Sequence, residues 1–140
     1  MIVYLDASVI VALLTQDLFT DRAKAFLSLG SPALIVSNYA AAEFASVIAR
    51  RVRTQELAIA EARTAFSNLD VWSARAAQRV ETIAADIGVA TGFIRRLDLT
   101  LRMPDAVNIA IAQRVGAILA TFDMRMADSA TVLGLAVAPT

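Results

Sequence analysis

The sequence predicts an α/β fold, a doubly wound parallel sheet of about five strands with helices on both faces. Two observations lead there. Short apolar runs rich in β-branched residues recur at residues 2–5, 34–36 and 117–121 and read as buried strands. Stretches of helical period separate them, and strands alternating with helices imply a parallel sheet covered on both sides. There is no internal repeat, low-complexity segment or linker, so a single domain over residues 1–140 is expected.

Taken in order, residues 2–5 form the first strand and Asp6 ends it. Ser8 is the expected cap of the next helix, whose apolar face is Val9, Ile10, Ala12 and Leu13. Residues 20–29 read as a helix with Thr20 as cap and Ala23, Phe26 and Leu27 turned inward; Gly30-Ser31-Pro32 ends it. After the strand at 34–36, Ser37 or Asn38 starts a long helix to about residue 53, with Phe44, Val47, Ile48 and Val52 at helical spacing. Thr54 is expected to cap a helix over 56–69, Val71 and Trp72 to form a short edge strand, and Ser73 to cap a helix over 74–87. Gly88 and Gly92 interrupt the next stretch, with a further helical turn or two over 91–97. Pro104 suits the start of a helix that runs to residue 115 and stops at Gly116. A strand at 117–121, partial helix at 124–133 and a last short strand at 135–138 complete the chain.

Composition removes several chemistries. With no histidine and no cysteine, a Ser–His–Asp triad, a Cys–His pair and an ordinary structural zinc site are excluded. Lys24 is the one lysine. Carboxylates, hydroxyls and arginines remain, and a site built from them most naturally holds a hard, oxygen-loving cation such as Mg²⁺ or Mn²⁺. Formal charge is zero, from 13 basic and 13 acidic residues, so nucleic acid would have to be met by local patches. The apolar fraction of 58% points either to a partner face or to an alanine-rich core. No leader pattern is visible, and the longest uncharged stretch, 25–42, contains Gly30, Pro32, Ser37 and Asn38, which suits no membrane span. A cytoplasmic protein with no membrane association is the expectation.

Four acids stand apart from ordinary surface charge. Asp6 follows the first strand; Glu43 lies in the uncharged segment Ala40-Ala41-Ala42-Glu43-Phe44-Ala45; Asp105 opens a mostly apolar helix; Asp123 follows the strand at 117–121. Each has a plain structural reading as helix cap, solvent-facing charge, dipole partner or turn residue. Three of the four sit at a strand end or helix start, the rim where a parallel sheet places its site. Two carboxylates about 4.5 Å apart repel by roughly 3–4 kcal/mol at an effective dielectric near 20. One or two divalent cations would offset that repulsion, and would lower the pKa of a water and stabilise charge on a phosphoryl oxygen. Ser8 and Thr121, each two residues from a candidate ligand, could orient carboxylates or waters.

These motifs resemble those of the PIN domain family, and within it the VapC-type toxins of bacterial toxin–antitoxin pairs. Val3-Tyr4-Leu5-Asp6-Ala7-Ser8 is similar to the family's first strand with its D-x-[ST] end. Glu43 matches the acid on the third helix, Leu101-Arg102-Met103-Pro104-Asp105-Ala106 the L-x-x-x-D-A signature, and Thr121-Phe122-Asp123 the T-x-D after the fourth strand. The resemblance implies five parallel strands with the first and fourth adjacent, and Mg²⁺- or Mn²⁺-dependent RNA cleavage. It also implies a homodimer and inhibition by a cognate VapB-type antitoxin. Asn108, one turn past Asp105, faces the same way and joins the candidate site. Asp128 reads as the cap of the last helix. Arg50, seven residues beyond Glu43 on nearly the same face, and Arg102 are the candidate phosphate contacts among arginines that otherwise read as solvated charge.

The leading expectation is therefore a metal-dependent endoribonuclease using Asp6, Glu43, Asp105 and Asp123. A PIN-fold regulator that binds RNA or protein without catalysis is the non-enzymatic alternative. A haloacid-dehalogenase-like phosphatase is a further one, although Ser8 stands where that chemistry needs a second aspartate and no late lysine exists.

Overall fold

The computed structural model describes residues 1–140. Four strands, β1 (Ile2–Leu5), β2 (Ala33–Ser37), β3 (Ala77–Val80) and β4 (Ile118–Ala120), form one sheet in the order β3-β2-β1-β4. Every pairing is parallel, with Val3 opposite both Leu34 and Ile118. The expected fifth strand is reduced to a single parallel bridge, Leu119 to Val137. Three hydrophobic residues of β1 are fully buried, as a central strand covered on both faces requires.

The period of two along each strand sorts side chains into two cores. Val3, Leu5, Val36 and Ala120 face one, shared with α1 (Ala7–Leu14), α2 (Thr20–Ser28), α3 (Asn38–Arg53) and α4 (Ile59–Ala76). Tyr4, Ile35 and Leu119 face the other, filled by α5 (Ala84–Arg95), α6 (Met103–Arg114) and α7 (Met124–Val132). Helix α6 is buried from Asp105 to Ala112, which explains why its sequence is apolar all round. No helix is long and apolar enough to cross a membrane.

Several boundaries differ from those expected. The first helix is capped by Asp6, whose side chain accepts from the Val9 N–H, and not by Ser8. Phe19 holds the cap position of α2, while the Thr20 hydroxyl bonds backward to Thr15. Thr54 closes α3 by donating to the Arg50 carbonyl, and α4 begins only at Ile59, where Glu61 accepts from the Ala58 N–H. Val71, Trp72 and Ser73 lie inside α4, so neither the edge strand nor the cap expected there exists. The edge strand is instead β3, and α5 runs through Gly88 and Gly92 without a break. Asp128 lies within α7, whose cap is Asp123.

Candidate active site

The chain enters the sheet at β1, fills one side with β2 and β3, then crosses to place β4 on the other. The reversal falls between β1 and β4, at whose carboxyl ends an open α/β sheet binds its ligands. Asp6 leaves β1 there, tied to the neighbouring strand by its N–H to the Ala120 carbonyl at 3.2 Å. Its carboxylate is nearly inaccessible and accepts three hydrogen bonds. Oδ1 accepts from the Ser8 hydroxyl (2.7 Å) and the Val9 N–H (3.1 Å), and Oδ2 from the Thr121 hydroxyl (2.7 Å). Ser8 accepts in turn from the Phe122 N–H, and Thr121 from the Asp123 N–H, both at 2.9 Å. The two hydroxyls singled out by their spacing therefore lock the ends of β1 and β4 together around Asp6.

Asp123 caps α7 through Oδ1, which accepts from the Arg125 and Met126 N–H groups, leaving Oδ2 without a protein partner. Asp105 sits at the start of α6, where Oδ2 accepts from the Arg102 N–H at 3.3 Å. Arg102 itself is exposed, 3.7 Å from that oxygen. Glu43 reaches in from α3, and its Oε1 accepts from Asn108 Nδ2 at 2.5 Å.

Asn108 belongs to a buried chain of hydrogen bonds of which the sequence shows only the last link. The Tyr4 hydroxyl donates to Asn108 Oδ1, and Tyr4 and Ser37 bond through their hydroxyls, both at 2.6 Å. Asn108 Nδ2 also donates to the Pro104 carbonyl at 2.9 Å. With the tyrosine proton committed to Asn108, Ser37 must donate to Tyr4, while its oxygen accepts from the Ala40 N–H. The amide is oriented by its partners: reversed, its oxygen would face the Glu43 carboxylate and the Pro104 carbonyl. A tyrosine in an otherwise aliphatic strand is the available signal, because a buried tyrosine hydroxyl needs a partner.

The acids sense one another. Burial raises the Asp6 carboxyl to about 6 against its three hydrogen bonds, and Asp123 adds to the rise. Burial raises Glu43 to about 7 despite the bond from Asn108, with Asp6 and Asp105 pushing the same way. Asp105 is raised as well, by burial and then by Asp123. The four are thus one electrostatic group, although no three close around a common point at metal-ligand spacing as they stand. Mutual repulsion favours that splayed arrangement. The donor set is all oxygen, which suits a hard divalent cation. Arg50 is exposed on α3 and lies beside the site, lining an opening with Ser8 and Asp123.

Over nearly its whole length the chain is similar to known proteins. Ribonuclease VapC46 of Mycobacterium tuberculosis is 33% identical over 138 residues, covering 96% of this chain and 95% of that protein. In structure the chain resembles M. tuberculosis VapC20, described as a sarcin-ricin loop cleaving toxin. The TM-score there is 0.76 at 18% identity, over 97% of this chain and 98% of that one. It also resembles VapBC2 of Rickettsia felis bound to a promoter DNA fragment, with TM-score 0.73 at 15% identity over 99% and 98% of the two chains. The PIN domain profile matches residues 3–131, from the first strand through the last helix. The chain belongs to the PIN domain family.

Proposed function

We propose that the protein is a divalent-cation-dependent endoribonuclease, the toxin of a VapBC-type toxin–antitoxin pair. What supports this reading is that Asp6, Glu43, Asp105 and Asp123 lie near enough at the β1/β4 rim for each to raise or feel the charge of another, although no three of them close on one point. Asp6, Glu43, Asp105 and Asp123 would hold one or two Mg²⁺ or Mn²⁺ ions. Such ions lower the pKa of a water and neutralise charge developing on the phosphate and the leaving oxygen.

The chain's own groups do the positioning. Ser8 and Thr121 hold Asp6 so that it cannot turn away, and Asn108 holds Oε1 of Glu43, leaving Oε2 for the site. That free oxygen of Glu43 would be placed to hold an ion or to take a proton from the attacking water. Arg50 and Arg102, exposed on either side, offer phosphate contacts along the RNA backbone. The full-length match to a protein named a ribonuclease supports the activity, and the likeness to the VapBC2 complex supports a VapB-type antitoxin. A homodimer in the cytoplasm completes the proposal.

Asp6→Asn or Asp105→Asn is expected to abolish cleavage of total RNA in Mg²⁺ or Mn²⁺ while circular dichroism stays that of the parent. Undiminished cutting in both variants would refute the assignment. The splayed acids favour one second reading, a catalytically silent regulator of the same fold. Calorimetric Mn²⁺ binding together with intact RNA would establish that reading instead.

A further inference from the structure

The carboxylates are flanked by two openings, and Asp123 lines both. One, of about 480 Å³, is bordered by Leu101, Arg102, Asp105 and Arg125. The other, of about 390 Å³, is bordered by Ser8, Phe19, Val47, Arg50 and Phe122. The second has an unusual wall. Phe19 and Phe122 stack with ring centroids 4.6 Å apart and planes 9° from parallel. Phe122 rests on the core beneath β1, but Phe19 belongs to neither hydrophobic cluster and stays half-buried.

Phe19 is not explained by its helix. It occupies the cap position of α2, where Ser, Thr, Asp or Asn would bond the first free N–H groups, and it makes no such bond. Arg22 lies 5.4 Å from both ring centroids. Being equidistant from the two, its guanidinium lies beside the pair and caps neither outer face. Of the cations at this opening, Arg51 is neutralised by Asp17 at 2.8 Å, whereas Arg50 has no carboxylate partner. An aromatic pair and an unpaired arginine thus border a cavity one residue away from a candidate ligand.

We infer that this opening is a nucleobase subsite for single-stranded RNA. The base of the nucleotide next to the reacting phosphate packs against the Phe19–Phe122 pair, and Arg50 holds the phosphate beyond it. Aromatic faces accept any base, and the flanking cation tracks the backbone. The RNA then runs from the Arg102–Arg125 opening, over the carboxylates, to the Phe19 opening. The inference rests on the ribonuclease reading and adds where the substrate is gripped.

The test uses a ten-nucleotide single-stranded RNA carrying 2-aminopurine or 4-thiouridine, bound to the full chain in the Asp105→Asn background, where cleavage is expected to be silent. Phe19→Ala and Phe19→Leu should each weaken binding roughly ten-fold, with Phe19→Trp restoring it. Arg50→Gln should flatten the dependence of log affinity on log salt by about 0.7. The thiouridine should cross-link to the peptide carrying Phe19 or Phe122. RNA bound equally well by the parent and both weakened variants, with cross-links elsewhere, would overturn the subsite and leave the ribonuclease reading standing. No RNA binding by the parent would remove that reading, and the subsite with it. Unchanged RNA affinity together with loss of antitoxin binding in Phe19→Leu would make the opening a protein-docking groove and overturn the subsite as well.

Discussion

At the scale of single residues, Asp6, Asp105, Asp123 and the hydroxyls of Ser8 and Thr121 are legible because each sits at a junction between elements, and Glu43 because it is a lone charge in an uncharged stretch inside α3. A charge just after an apolar strand must be either a cap or a ligand, and Asp6 and Asp123 are placed as caps and as candidate ligands at once. Contacts that join distant parts of the chain leave no local trace. Tyr4 and Asn108 are 104 positions apart, and Phe19 meets Phe122 only in the fold. The Ser37–Tyr4–Asn108 chain makes a specific prediction. Tyr4→Phe removes the proton that orients the Asn108 amide and leaves buried polar atoms unsatisfied, a loss of about 1–3 kcal/mol in stability. It also frees Asn108 to release Glu43, so Mn²⁺ affinity measured by calorimetry should fall several-fold, and further in Asn108→Ala. A Tyr4→Phe protein with a lowered melting temperature and unchanged Mn²⁺ affinity would assign the chain a structural role only.

At the scale of elements, legibility tracks burial. β1, β2, α3, α6 and β4 carry strong apolar patterns, and their expected bounds fall within a residue or two of the structure's. The segment from residue 54 to 97 divides differently for a physical reason. β3, Ala-Gln-Arg-Val, is an edge strand buried on neither face, so it shows no apolar run. Val71 and Trp72 imitate a strand, yet Leu69 and Trp72 share the inward face of α4 at helical spacing. Gly88 and Gly92 look like breaks, but α5 is held from outside. Arg114 of α6 forks onto Asp86 at 2.7 and 2.9 Å and also reaches the Glu81 carbonyl, anchoring the start of the helix. A Cβ at either glycine would meet nothing within 4 Å, and neither has a positive φ. Gly88→Ala and Gly92→Ala should each therefore stabilise the protein by about 0.4–1 kcal/mol, read as a higher urea midpoint. Arg114→Met should act in the opposite direction by leaving Asp86 buried without its partner.

At the scale of the whole molecule, the fold gathers carboxylates at a cost in stability, and that cost has a pH signature. Asp6 rises from 3.8 to about 6 and Glu43 from 4.5 to about 7, so the folded state binds protons more tightly than the unfolded chain. Stability therefore falls as pH rises through that window, between about 4 and 7, and is highest on its acid side. Asp86 behaves in reverse. Burial would raise its carboxyl, but the bonds from Arg114 outweigh it and the net shift is downward, so its contribution is lost only below the ordinary aspartate range. In EDTA the melting temperature should thus be greatest near the acid end of that window, about pH 4, and decline to a plateau above about pH 7, with a shallower decline in Asp6→Asn. A divalent cation acts on the same groups. At a hundred times its dissociation constant, Mn²⁺ would add about 2.7 kcal/mol through linkage, several degrees of melting temperature at pH 7.5. At pH 5, protons occupy Asp6 and Glu43 and compete with it, so the same addition should produce a much smaller shift. Differential scanning fluorimetry across pH, with and without Mn²⁺, measures both slopes in one experiment. A melting temperature indifferent to pH from 5 to 8 and to Mn²⁺ would mean that these oxygens neither repel one another nor share an ion.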